Sequence, residues 1–177
     1  PLHILRELAA RVSARRPRPV VIAEDDRNDP ASLLELGVDA VWADDWHHQV
    51  HVTLTGERDG YYGAYTPGIG GVARAIEQGW LYEGATFLPW GRPRGAPASG
   101  IEAAAFVYAL QNHDQIGNRA LGERLHALVG TEAFIGMSAL FLLLPMTPLL
   151  FMGQEWAAST PFLYFTDHDA DLGRAVT

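Results

Sequence analysis

AFVYALQNHDQIGN, residues 105–118, is a run of strand-forming side chains that passes without a break into polar ones. Phe106, Val107 and Tyr108 suit a buried strand, and Asn112, His113 and Asp114 stand where that strand would end. In α/β proteins the ends of strands are where chemistry is placed. Taken alone, the same residues also read as an ordinary boundary, with Asp114 capping a helix that holds Leu121, Leu125 and Leu128.

Working outward, three more stretches have the same form. Val20, Val21 and Ile22 lead into Glu24, Asp25 and Asp26; DAVWA (39–43) ends at Asp44 and Asp45; PLLFM (148–152) leads into Gly153, Gln154 and Glu155. Helical patterns separate them. Leu5, Leu8 and Val12 mark a helix within residues 2–15, and Asp29 with Pro30 opens a short one closed by Gly37. Val50 and Leu54 continue a helix from Trp46 to Gly56. Two more are expected over residues 121–128 and 132–144, the second capped by Thr131. Strands alternating with helices imply an α/β fold of parallel units with right-handed crossovers. Each strand then delivers a carboxylate just past its end: Glu24, Asp44 or Asp45, Asp114, and Glu155. In a barrel or open parallel sheet those ends share one face, so the repetition favours a functional Asp114 over a cap.

Residues 57–100 are too long for a plain connection and are read as a functional excursion with one helix over 71–78. From Trp42 to Trp90 lie four of the five tryptophans and four of the six tyrosines, flat rings suited to sugar faces, although Trp42 reads as core.

Composition narrows the chemistry. All 13 basic residues are arginine, which excludes a lysine Schiff base and a Walker phosphate loop; the absence of cysteine excludes thiolate nucleophiles, thiolate metal sites and disulfides. A net charge of −8 disfavours nucleic acid and anionic lipid as partners. Residues 134–153 have the length of a membrane span, but Pro145, Thr147 and Pro148 cut the run into a helix and a strand, so no membrane partner is expected. The opening Pro1, Leu2 and His3 do not read as a signal peptide. Residues 68–73 fit the pattern G-x-G-x-x-A, yet Pro67 and the non-strand residues before it argue against a dinucleotide site. His47 and His51 share a helical face near Asp44 and Asp45; the rim of a sugar cleft is preferred to a metal site, and no cofactor is expected. At 177 residues the chain is shorter than the roughly 250 of a complete (β/α)8 barrel, so it is one domain or a piece of one.

Carboxylates without a thiol, lysine or serine elbow suit glycoside hydrolysis, in which one acid protonates the leaving oxygen and a second carboxylate meets developing positive charge. Glu24 is the candidate acid, because the apolar residues 19–23 behind it would bury its carboxyl and raise its pKa, while Asp25 and Asp26 lie nearer solvent. Asp25, Asp45, Trp46, His48, His113 and Gln115 are the candidate sugar contacts.

VIAEDD (21–26), DAVWADDWHHQVHVTLTGERDGYYGAY (39–65), QNHDQIGNRALGERL (111–125) and PLLFMGQEWAASTPFLYFTDH (148–168) together resemble the maltooligosyltrehalose trehalohydrolases of the α-amylase superfamily. Asn-His-Asp after a strand is shared across that superfamily; the ADDWHH segment with Thr55, Gly56 and Glu57, and the EWAASTPFLYFTDH tail, point more narrowly. The resemblance implies a retaining hydrolase that cuts the α-1,4 bond next to a terminal trehalose unit of an α-glucan oligosaccharide. It makes Glu24 the general acid/base and Asp114 the transition-state stabiliser, with His113 the histidine beside it. It also implies strands five to eight of a (β/α)8 barrel, with residues 57–100 between strands six and seven, the remainder of the barrel as partner, and a cytoplasmic setting. The family's nucleophile, an aspartate ending the preceding strand, would lie before Pro1, so the chain alone is expected to be inactive. An amylase or branching enzyme, or a non-catalytic carbohydrate-binding piece, are the alternatives.

Overall fold

A computed structural model describes residues 3–176. Helix α1 (Ile4–Ser13) leads to strand β1 (Ile22–Ala23), helix α2 (Ala31–Leu34), strand β2 (Ala40–Trp42) and helix α3 (Asp44–Thr55). An excursion follows: a 3-10 turn at Gly60–Ala64, helix α4 (Ile69–Gln78), and an antiparallel ribbon of β3 (Thr86–Phe87) and β4 (Arg92–Pro93). The chain returns through β5 (Phe106–Ala109), α5 (His113–Gly117), α6 (Leu125–Leu128), α7 (Thr131–Leu143), β6 (Thr147–Leu149) and α8 (Ala170–Val176). Leu2, included in the expected first helix, lies outside the described residues.

The α/β expectation holds. β1, β2, β5 and β6 form a parallel sheet in that order, with Ile22 opposite Ala40, Val41 opposite Phe106 and Val107 opposite Thr147. Every residue of β5 is buried, which is why its sequence is a continuous apolar run rather than an alternating one. β6 tolerates Pro148 because it pairs on one side, with β5. At the other edge Val20 and Ile22 are exposed, as are Leu150 and Met152 beyond β6. Among the described residues no helix is long and apolar enough to cross a membrane.

Several boundaries differ from expectation for local reasons. α3 begins at Asp44, two residues before Trp46, so both aspartates lie in its first turn and Gly56 closes it in the left-handed conformation. Asn112, not Asp114, caps the helix after β5: its side chain accepts from the Asp114 amide, and Gln115 Oε1 returns the bond to the Asn112 amide. Gly130 occupies the cap position of α7, leaving Thr131 as its first helical residue.

The excursion carries its own small core of Val52, Tyr65 and Phe87, while Trp80 joins the main core. The glycine pattern at 68–73 has a packing cause. α4 crosses α3 so closely that a Cβ on Gly71 would meet the Gln49 Cδ at 2.5 Å. No strand precedes it, as the sequence indicated.

What binds excursion to sheet is Asp45. Its side chain, wholly buried, accepts from Asn28 Nδ2 (2.7 Å), Tyr65 Oη (2.7 Å) and the amides of Leu81 and Tyr82 (2.7 and 2.8 Å), and it lies 2.9 Å from Arg94 Nη1. Arg94 is itself 2 % exposed. Deleting one member of a buried ion pair leaves the other charge uncompensated, at a cost of about 3–5 kcal/mol. Asp45→Ala is therefore expected to lower stability by an amount of that order in chemical denaturation, whereas a loss below about 1 kcal/mol would contradict the role given to it here.

Candidate active site

A cavity of about 290 Å³ opens beyond the C-terminal ends of β1, β2 and β5. Glu24 and Asp26 reach it from the turn after β1; Asp44, His47 and His48 from α3; Asn112, Asp114 and Gln115 from the start of α5; and Tyr61, Trp90 and Arg94 from the excursion. Larger cavities exist, one of about 410 Å³ beside Phe106, one of about 440 Å³ beside Gly71 and one of about 570 Å³ beside α7, but none of these gathers carboxylates from several strand ends.

Of the residues singled out from sequence, Glu24, Asp114, His48 and Gln115 line this cavity together. Four others do not. Asp45 is sealed in the wall and bonded to the excursion, so it has no surface left for a ligand. Trp46 is wholly buried, stacked on Tyr108 with ring centroids 4.6 Å apart. Asp25 turns away to grip Arg27, at 2.8 Å from Nε and 2.6 Å from Nη2, and takes the Ser32 hydroxyl at 3.2 Å. His113 stands outside the lining residues, its carbonyl accepting from Tyr164 Oη at 3.1 Å. The burial expected for Glu24 is also reversed: Glu24 is exposed and Asp25 half-buried. The convergence of four carboxylates becomes three, since Glu155 lies in the cavity beside α7.

Asp44 is the residue that sequence reasoning passed over in favour of its neighbour. A helix advances about 100° per residue, so with α3 starting at Asp44 the positions 44, 47 and 48 share one face and 45 and 46 another. That face is the cavity wall. Burial pushes the Asp44 carboxyl up to about 7, against the pull of Arg94 and with the help of the negative charges of Asp45, Asp26 and Glu24.

The histidines beside it are neutral. Burial pushes His47 down to about 3 and His48 well below the usual imidazole range. The hydrogen bonds assign their tautomers. Tyr65 Oη gives its single proton to Asp45 and receives Arg94 Nη1 at 3.0 Å, so His48 Nδ1, 3.2 Å away, must donate to it. His48 Nε2 is then an acceptor. Likewise Gln115 Nε2 donates to His47 Nε2 at 3.2 Å because its Oε1 is engaged by the Asn112 amide.

Asp114 is exposed, and its Oδ1 accepts from Asn118 Nδ2 at 2.7 Å. With Asn112 doing the capping, the Asp114 carboxylate is free of that duty. Among the described residues no group of three or more histidine, cysteine, aspartate and glutamate side chains is arranged to hold a metal ion. His51, grouped with His47 by spacing, bonds instead to Glu57 at 2.7 Å.

No family model matches the chain. Individual proteins do. A malto-oligosyltrehalose trehalohydrolase of Deinococcus radiodurans is 50% identical over 177 residues, which is 99% of this chain and 30% of that protein. Those of Arthrobacter ramosus and Saccharolobus solfataricus are 43% and 38% identical, over 98% and 94% of this chain and 32% and 30% of theirs. A crystal structure of a candidate alpha amylase from Salmonella typhimurium superposes with a TM-score of 0.90 at 42% identity, covering 98% of this chain and 31% of that one. The chain thus spans about 30% of the length of the curated relatives it matches. Along nearly its whole length the chain is similar in sequence to a segment of these malto-oligosyltrehalose trehalohydrolases, and similar in backbone to a segment of the Salmonella typhimurium protein.

Proposed function

We propose that this chain supplies the acid/base and the charge-stabilising carboxylate of a retaining glycoside hydrolase that cuts the α-1,4 bond next to the terminal trehalose unit of an α-glucan oligosaccharide. The observation that carries this reading is the meeting of Glu24, Asp44 and Asp114 in one cavity walled by Tyr61 and Trp90. Glu24 protonates the leaving glycosidic oxygen and later activates water. Asp114 stabilises the oxocarbenium-like transition state and bonds sugar hydroxyls. Asp44, in its protonated form, donates to a sugar oxygen, and the His48 imidazole accepts from a hydroxyl.

Such a mechanism needs a nucleophilic carboxylate roughly 5–5.5 Å from the acid. Glu24 immediately follows β1, whose outer edge is unpaired among the described residues. A parallel strand added there would run about 4.8 Å from β1 with its tip beside Glu24, which would bring a side chain at that tip to the same end of the sheet as the acid. The exposed Val20 and Ile22 on that side, and Leu150 and Met152 beyond β6, are the apolar surfaces that closing a barrel would cover.

In the full-length protein containing this segment, Glu24→Gln is expected to abolish release of trehalose from a trehalose-capped maltooligosaccharide, by about 10³-fold or more in kcat, while sugar binding persists. Release of glucose or maltose, or transfer to a new branch, would instead identify an amylase or a branching enzyme. Binding without turnover in the wild-type protein would mark a carbohydrate-binding piece.

Asp44 carries a prediction on stability. In the unfolded chain its carboxyl ionises near 3.8, and in the folded one near 7. Between those values the folded state holds the extra proton, so the stability that Asp44 contributes is present at low pH and is lost as pH rises through the window. His47 acts in the opposite sense, because its folded value of about 3 lies below the ordinary 6.5 and its contribution is lost as pH falls. Asp44→Asn removes the first effect and keeps the second. The stability of wild type minus that of the variant should therefore fall from pH 4 to pH 7, and a difference that stays flat would refute the raised value.

A further inference from the structure

Glu57 lies outside the cavity. Its carboxylate nonetheless receives three N–H groups: His51 Nε2 at 2.7 Å, Arg119 Nη1 at 2.8 Å and Arg119 Nη2 at 3.0 Å. The arginine approaches as a two-pronged fork, the geometry in which a guanidinium and a carboxylate fix one another's orientation best. Its remaining side-chain nitrogen, Nε, faces Glu123 Oε2 at 3.4 Å.

Both partners lead to residues that line the cavity, one through α3 and the turn at Gly60–Ala64, the other through the end of α5. His51 belongs to α3, one turn beyond His47 and His48, and its ring stacks on Tyr62 with centroids 4.3 Å apart and planes 12° from parallel. Tyr62 in turn packs edge-on against Tyr61, which lines the cavity. Arg119 follows Asn118, whose amide group holds Asp114 twice, at the carboxylate (2.7 Å) and at the carbonyl (3.0 Å). α5 has only five residues, too few to hold its own geometry. The cavity side already has one neutral cross-link between α5 and α3, Gln115 to His47 at 3.2 Å. Glu57 supplies a charged, three-bond link on the outer side. Because Arg119 and His51 both donate to it, its pKa is lowered to about 2 and the carboxylate is ionised at neutral pH.

We infer that Glu57 is a positioning residue: by clamping Arg119 to His51 it fixes the Asp114 turn against the α3 wall, and so sets where the stabilising carboxylate meets the sugar. This rests on the hydrolase reading above. Its consequence is specific, because a carboxylate that matters in the transition state and is displaced by about 1 Å loses rate far more than it loses binding of the ground state.

The test uses the full-length protein with a trehalose-capped maltooligosaccharide. Glu57→Gln, which leaves neutral contacts but breaks the charged fork, is expected to lower kcat roughly ten- to hundredfold while KM changes by less than about twofold. Arg119→Lys, which keeps the charge and loses the fork, is expected to do the same and serves should Glu57→Gln fail to fold. Amide hydrogen exchange over residues 113–118 is read alongside and should quicken in both variants. A reduced melting temperature with wild-type kcat, or unchanged exchange over 113–118, would overturn the inference and leave Glu57 as a support for the fold. A wild-type protein that releases no trehalose would refute the hydrolase reading instead, and the exchange measurement would still judge the clamp.

Discussion

One buried carboxylate holds the architecture together. Asp45 sits in the first turn of α3, just past the end of β2, and takes donors from Asn28 after β1, from Tyr65 and Arg94 in the excursion, and from the amides of Leu81 and Tyr82. A charge with no exposure is tolerable only when it is fully paired, and here the donors come from four separate stretches of chain. The excursion is therefore not free to fold back in other ways. Through Arg94, whose Nε donates to the Asp26 carbonyl at 2.6 Å, the same network reaches the turn that carries Glu24. The cavity wall contributed by Tyr61, Trp90 and Arg94 is thus built on this polar network together with the apolar cluster of Val52, Tyr65 and Phe87.

The parts of this arrangement legible in sequence are those governed by short-range patterns. Residues 105–118 announce a buried strand and a polar turn because burial on both faces demands a continuous apolar run, and β5 is that strand. The alternation of strands with helices gave the parallel sheet for the same reason. Asp44 and Asp45 were harder, because adjacent residues on a helix face about 100° apart and the choice turns on where α3 starts. An expected start at Trp46 hides the grouping of 44, 47 and 48; a start at Asp44 would have revealed it. Asp45 itself was opaque, since its charge partner Arg94 lies 49 positions on and no local pattern joins them.

Aromatic residues were ambiguous for a different reason. A ring with a polar edge suits a sugar face, and it suits equally a core position where its one polar atom finds a partner. The excursion uses both. Tyr65 is buried with its hydroxyl engaged by three neighbours, and Trp80 gives its Nε1 proton to the Ala96 carbonyl at 2.9 Å. Tyr61 and Trp90, which stand at the cavity, have the same composition around them in sequence. Only three-dimensional packing separates these cases, because buriedness here is decided by contacts between α3, α4 and the β3–β4 ribbon rather than by periodicity within any one of them.

The electrostatics of the cavity follow from how Arg94 is used. It is the one arginine among the lining residues, set against Glu24, Asp26, Asp44 and Asp114, and its charge is already committed to Asp45 within the wall. Neutral His47 and His48 add no positive charge. Burial outweighs the pull of Arg94 at Asp44, the negative charges of Asp45, Asp26 and Glu24 act in the same direction, and the carboxyl is raised to about 7. The cavity thus sets acidic side chains around one guanidinium that is already committed to the wall. Under the proposed hydrolase reading such a lining would favour an oxocarbenium-like transition state, since positive charge develops on the sugar only as the glycosidic bond breaks and would be stabilised there more than in the ground state.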